Sequence, residues 1–343
     1  MDGRIDYIDS AKGICMLLVV MVHTSVPEPL PGLYELDVPA FFVFSGYFFR
    51  PEGGFRAFFM KKLHRLVVPF VAFYLLSYAV FYALLAVYPA ASSMTEARGI
   101  FDCVVQKAWF NGPLWFLSCL FWMQLIAYLL CRFPGILLRV FSAFALGVCG
   151  LLLSHEGVLL PLVLDTALTA CPYFFVGILC RQYGAFGLGR SSAVGACLLT
   201  VLVWLLSGQM TIGLSTNNYD AEVLPMYVLP SLFALSLVAI SRHLLYPWER
   251  LTPYIGRHTL YILCMHHLVY RPVKLVLSRW LDSGLEPYFT FVVTIVLCLM
   301  TAPWVERRLP WLFGLPPRKT LTNQQESTGS RRAVYCEGCA ESS

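Results

Sequence analysis

Charge is scarce in this chain. Asp, Glu, Lys and Arg make up 13% of 343 residues, hydrophobic residues make up 58%, and mean hydropathy is +0.67. So little polar surface cannot coat a soluble domain of this size, and the composition describes a polytopic membrane protein. Basic runs interleaved with base-stacking aromatics are missing, so the net charge of +5 points to no nucleic-acid partner. Twelve cysteines are present, but they scatter through apolar stretches and outline no disulfide framework. One Cys-x-x-Cys, Cys336 to Cys339, lies in a polar tail without the second pair of a structural zinc site. No small-x-small cleavage site follows Val26, and the first apolar run is expected to be a retained helix.

What the chain has in abundance is apolar runs. Ten are expected to form membrane helices, at about 13–30, 38–51, 67–88, 113–131, 135–154, 158–180, 192–210, 223–241, 254–277 and 287–305. Pro27, Pro29 and Pro31 are expected to break the first at its far end. With the N-terminus placed in the cytoplasm, 20 of the 25 Lys and Arg residues fall on that side. Arg98, Lys107, Arg271, Lys274 and Arg279 fall outside, among segments that carry Glu28, Glu35, Asp37, Glu96 and Asp220. This bias predicts an all-α integral membrane protein with both termini inside. Residues 1–316 are read as the transmembrane domain, and 317–343, rich in Ser, Thr, Gln and Gly, as a disordered cytoplasmic tail.

One ionisable pair stands out. His23 lies in the apolar run Ile14 to Val26, eleven residues after Lys12. Eleven helical residues rise about 16 Å and make nearly three turns, so the two side chains share a face. With Lys12 at a membrane edge, the imidazole falls near the midplane of a core about 30 Å thick. A polar group at that depth is costly and marks a functional site, although it can also serve as an interhelical link. Asp9 is three residues from Lys12 and can pair with it, either to hold a phosphate-bearing ligand nearby or simply to anchor the helix at the interface.

Other motifs follow in chain order. Ser45-Gly46 in an aromatic helix allows another backbone to approach closely. Lys62 and Arg65 share a face of a basic segment, which suits anionic lipid or a phosphate ligand. Trp115, with Trp109 and Asn111, forms an outer rim suited to a sugar ring or to an interfacial belt. His266 and His267 are adjacent on a helix, where side chains diverge by about 100°, so they are not expected to ligate one metal together. No metal and no permanently bound cofactor is expected.

Together these residues resemble the membrane acyltransferase 3 family, in the branch of fucose O-acetylase-like and surface-polysaccharide O-acetyltransferases. The resemblance runs over about residues 4–310. It rests on Asp9, Lys12 and Gly13 followed by His23; on Phe41, Phe42, Ser45, Gly46 and Tyr47; and on Lys62, Arg65 and Pro69. Pro113, Leu114, Trp115, Gly256, Thr259, Leu260 and His266 continue it. Lys12 and Lys62 stand where relatives often carry Arg, and Leu263 stands where a tyrosine is common, with Tyr261 nearby.

The resemblance implies a multi-pass protein of a bacterial inner membrane. It implies an O-acyltransferase, most simply an acetyltransferase, that takes the acyl group from cytoplasmic acetyl-CoA or another acyl-CoA. The acceptor is a hydroxyl of a glycan, lipid-linked glycan or related cell-envelope molecule, reached among membrane lipids. His23 is then the general base, or less simply a covalent acyl carrier, with Lys12, Lys62 and Arg65 on the anionic donor. Asp9, Ser45 and Gly46 are supporting residues, and Trp115 and His266 lie on the acceptor side. Two other classes remain: a transporter or flippase using His23 and His266 as a proton relay, and a scaffold. Inverted repeats would favour the former and are not seen, and the intact Lys12–His23 pair argues against the latter.

Overall fold

The computed structural model describes residues 5–87, 99–105, 109–207, 210–245 and 250–313. Arg4, Glu96, Arg98, Lys107, Cys336, Cys339 and the expected tail at 317–343 lie outside the described residues. The chain is built from helices α1 (Asp6–His23), α2 (Asp37–Tyr47), α3 (Phe55–Lys62), α4 (Val68–Val87), α5 (Asp102–Val105), α6 (Trp115–Leu130) and α7 (Ile136–His155). They continue as α8 (Leu164–Gln182), α9 (Arg190–Ser207), α10 (Val223–Ile240), α11 (Leu251–Arg257), α12 (Thr259–Leu277) and α13 (Glu286–Arg308). A small antiparallel hairpin, β1 (Thr211–Gly213) and β2 (Asn218–Asp220), connects α9 to α10.

Every expected apolar span overlaps a helix, that at 254–277 being split between α11 and α12, and among the described residues seven stretches are long and apolar enough to cross a membrane. The other three differ for identifiable reasons. Helix α1 carries Asp6, Asp9 and Lys12, α2 has only 11 residues, and α12 carries His266, His267, Arg271 and Lys274. These three polar or short helices lie together, since α1 packs on both α2 and α12. At the periphery, α7 and α9 turn Leu137, Phe141, Leu198 and Leu206 outward, an apolar exterior suited to hydrocarbon.

Helix α1 ends earlier than its apolar run predicts. The Val26 N–H donates to the Met21 carbonyl at 3.0 Å and the Ser25 N–H to that of Val22 at 3.1 Å, with Ser25 left-handed at φ 62°. That is a Schellman stop, reinforced by the Thr24 hydroxyl donating to the Val20 carbonyl at 2.9 Å. His23 therefore occupies the last helical residue rather than the middle of a longer span.

Close backbone crossings lock the interior. A Cβ on Gly13 would collide with the carbonyl of Thr252, and one on Gly256 with the carbonyl of Asp9, so α1 and α11 touch main chain to main chain. Gly46 and Gly177 meet in the same way between α2 and α8. Such contact replaces side-chain packing with backbone van der Waals contact, available only where the Cβ is missing. The α11–α12 junction is held further by Arg257 on Asp6 at 2.8 Å and by His258 on Glu306 at 3.0 Å. Outside the apolar helices, the Glu35 carboxylate accepts the Ile212 N–H at 2.7 Å, tying the turn before α2 to the hairpin. Burial raises the Glu35 carboxyl above its usual range, and that hydrogen bond opposes the rise.

Gly13→Ala should cost about 1–3 kcal/mol through overpacking. Gly195→Ala, at a helix position open to space, should be neutral or mildly stabilising. Thermal unfolding in detergent separates them: a lower midpoint for the first only is expected, and equal midpoints would refute the crossing.

Candidate active site

The three helices that fail as autonomous spans, α12 through its first turns, enclose a cavity of about 450 Å³ with help from α6 and the α3–α4 junction. That volume is in the range of a small-molecule site. Six sequence-nominated residues line it: Lys12, His23, Ser45, Lys62, Arg65 and Trp115. The continuous helix α1 carries Lys12 and His23 about 16 Å apart along its axis, so the cavity runs from a cationic end to an imidazole end.

At the cationic end, Lys12 pairs with Asp9 at 3.0 Å and lies over the Phe48 ring at 4.6 Å from its centroid. Asp9 does not line the cavity; it positions Lys12 from behind. Lys62 lies over the Phe58 ring at 5.1 Å. A widened π turn over Leu63–Val67 joins α3 to α4, so Lys62 stands at the entrance of a local loosening of the helix and Arg65 within it. Such turns re-aim side chains at functional sites, and here both cations reach the cavity.

The middle is apolar and aromatic, lined by Phe41, Phe44, Phe116, Leu117 and Leu263. Ser45 opens onto it, whereas its neighbour Gly46 is spent on the α8 crossing. Gln124 also lines the wall, a buried amide in an otherwise apolar helix. Sequence reasoning passed over Gln124, although a lone amide in such a helix is itself a signal. Tyr261 cannot replace the tyrosine missing at Leu263, because its hydroxyl donates to Thr301 at 2.8 Å and it does not line the cavity.

At the far end, His23 meets two more imidazoles. Its ring centroid lies 5.2 Å from that of His266 and 4.5 Å from that of His267. The planes of the two α12 rings stand at 82° to each other with their centroids 5.1 Å apart, and His23 arrives from α1 beside both. Both α12 histidines are buried and neither lines the cavity, so His266 sits behind His23 rather than on an open acceptor face. Trp115 is buried on the cavity wall against Phe42. Asn111 is not a rim residue. It is fully buried, and its amide donates to Ser77 at 3.1 Å and to the Cys264 carbonyl at 2.9 Å, linking α4 to α12.

A helical membrane protein with one elongated cavity, cationic at one end and closed by an imidazole at the other, has the layout of a membrane-embedded group-transfer enzyme. The acyltransferase 3 family, described as an acyltransferase domain, matches residues 5–303, and the chain belongs to that family. It is a membrane acyltransferase that transfers groups other than aminoacyl groups. No curated protein and no solved structure compared with it matches significantly.

Proposed function

We propose that the protein is an O-acyltransferase, in the simplest case an O-acetyltransferase, that moves an acyl group from acyl-CoA to a hydroxyl of a glycan or related cell-envelope acceptor. The observation that carries this reading is the single cavity that joins Lys12, Lys62 and Arg65 to His23. An acyl-CoA is an anionic head joined by a long slender arm to a reactive thioester. Its phosphates suit the cationic end, where Arg65 offers a bidentate fork and the lysines point charges. The arm suits the aromatic passage, and the thioester then stops near His23.

The acceptor oxygen attacks the thioester carbonyl while the His23 imidazole takes its proton. The C–S bond breaks, and the proton passes from the imidazolium to the departing thiolate. An ester and free CoA result, and His23 returns to its starting form. The apolar walls exclude water, which would otherwise hydrolyse the thioester.

His23→Ala should abolish transfer while leaving membrane insertion intact, measured as acetyl release from labelled acetyl-CoA in membranes. Activity near that of the unaltered protein would remove His23 from the chemistry.

Lys62→Ala and Arg65→Ala should raise the KM for acyl-CoA more than that for the acceptor, each lost charge-assisted contact being worth roughly 1.5–3 kcal/mol. Arg65→Lys should also be damaging if the contact is bidentate. An unchanged donor KM in all three would leave the basic segment a lipid anchor only.

The reading extends to sidedness: ten crossings, both termini inside, the donor from the cytoplasm and the acceptor from the other face past Trp115. It is supported by the distribution of Lys and Arg in the sequence and by the place of Trp115 on the cavity wall. Trp115→Ala should raise the acceptor KM and leave donor binding unchanged. In sealed vesicles, a membrane-impermeant glycan should be modified when supplied on the extracytoplasmic side. Modification only from the cytoplasmic side would mean that acylation precedes export.

A further inference from the structure

We propose that His23, His266 and His267 form a binding site for a divalent zinc-like ion, and that the ion and the base function of His23 exclude each other. The inference rests on the reading of His23 as base only for its second half; the site itself stands on geometry.

The three rings form a nearly regular triangle, with centroid separations of 5.2, 4.5 and 5.1 Å. Three imidazoles around one tetrahedral ion, with metal–nitrogen bonds of about 2.0–2.1 Å, put their ring centroids about 5 Å apart. One ring nitrogen from each histidine lies within 4.8 Å of the others, so small side-chain rotations bring them onto a shared ion.

The hydrogen bonding leaves the needed lone pairs unused. The His266 Nδ1 lies 2.7 Å from the Ile262 carbonyl, which can only accept, so Nδ1 carries the proton and Nε2 is bare. A backbone carbonyl behind a ring nitrogen is the usual outer support of a metal-ligating histidine. Among the described residues, His266 Nε2 and both nitrogens of His267 are buried with no hydrogen-bond partner. Leaving such atoms unpaired is costly, and an ion would satisfy His266 Nε2 and one nitrogen of His267 together. Gly112 faces the His267 ring, where a Cβ would come within 3.2 Å of its Cε1, so the missing side chain leaves the ring room to turn.

The donor set selects the ion. Three neutral imidazoles in apolar surroundings suit zinc, with a fourth position left for a small ligand. His23 is the member that faces the cavity, so the fourth position opens there. Arg271, held on the Phe110 carbonyl at 3.1 Å, adds a positive charge one turn beyond His267, and the fourth ligand is therefore an anion such as hydroxide or chloride. An ion so placed takes the lone pair with which His23 would accept a proton. Zinc should thus inhibit transfer by occupying the base.

The test uses full-length purified protein in detergent, stripped with chelator and desalted. Titration with Co²⁺, whose tetrahedral complexes absorb strongly in the visible, should show one ion per chain, displaced by Zn²⁺. His267→Gln and, as a second variant, His266→Gln should each weaken Co²⁺ binding at least tenfold. In transfer assays, zinc should suppress the unaltered protein, whereas whatever activity His267→Gln retains should be the same with and without zinc. No tetrahedral Co²⁺ spectrum, or an affinity in both variants equal to that of the unaltered protein, would overturn the site. Activity lost on chelation and restored by zinc would overturn the exclusion. If His23→Ala turned out active, the base reading would fall while the Co²⁺ titration still decided the site.

Discussion

The architecture depends on main-chain contact between helices at positions that lack a Cβ. Gly13 against the Thr252 carbonyl, Gly256 against that of Asp9, and Gly46 against Gly177 bring α1, α2, α8 and α11 closer than side chains would permit. Among apolar helices in an apolar solvent there is no hydrophobic drive to associate, so close packing must supply the specificity. These crossings fix the helices that carry Lys12, His23 and Ser45, and through them the shape of the cavity. The site is thus positioned by rigid backbone rather than by loops, which suits a reaction that needs reacting atoms held within a few tenths of an ångström.

A second constraint is the cost of polarity. Helices α1 and α12 bring Asp9, Ser10, His266 and His267 into the interior, among helices long and apolar enough to cross a membrane. Several buried polar groups have a stated task. Asp9 holds Lys12, Asn111 ties α4 to α12, and Tyr261 reaches Thr301. Of the buried polar side-chain atoms left without a hydrogen-bond partner among the described residues, three ring nitrogens gather in the imidazole cluster. Unpaired buried nitrogens are where chemistry or a ligand is expected.

Much of this was legible in the sequence, and the rest fails for physical reasons. Apolar runs located the helices because hydrocarbon demands about 20 apolar residues per crossing. The end of α1 was not legible, because the run continues to Val26 while a left-handed Ser25 and the Thr24 hydroxyl stop the helix at His23. The hairpin between α9 and α10 and the break at His258 are too short for periodicity to register. In the site, the Lys12–His23 spacing was enough to put both on one cavity, since a straight helix turns spacing into geometry. His266 and His267 were read as diverging too far to share an ion, a reading that weighed the two alone, whereas the ring that joins them comes from a helix some 240 residues earlier, which no local rule contains. Gln124 and Asn111 are both single amides in apolar surroundings, and only the tertiary packing decides that one faces the cavity and the other a neighbouring helix.

The pairing of α1 with α11 has a consequence for how the protein is made. Helix α1 leaves the ribosome before α11, and the backbone it grips is synthesised some 240 residues later. Until then Asp9 and Lys12 have only each other, and α1 is too polar to be comfortable alone in lipid. The first segment must wait, sheltered by α2 and by whatever the insertion machinery provides, for the segment that completes its surroundings. The cationic end of the cavity and the imidazole cluster are therefore brought together only once α11 and α12 have been made, so a product that ends before them lacks His266 and His267 beside His23.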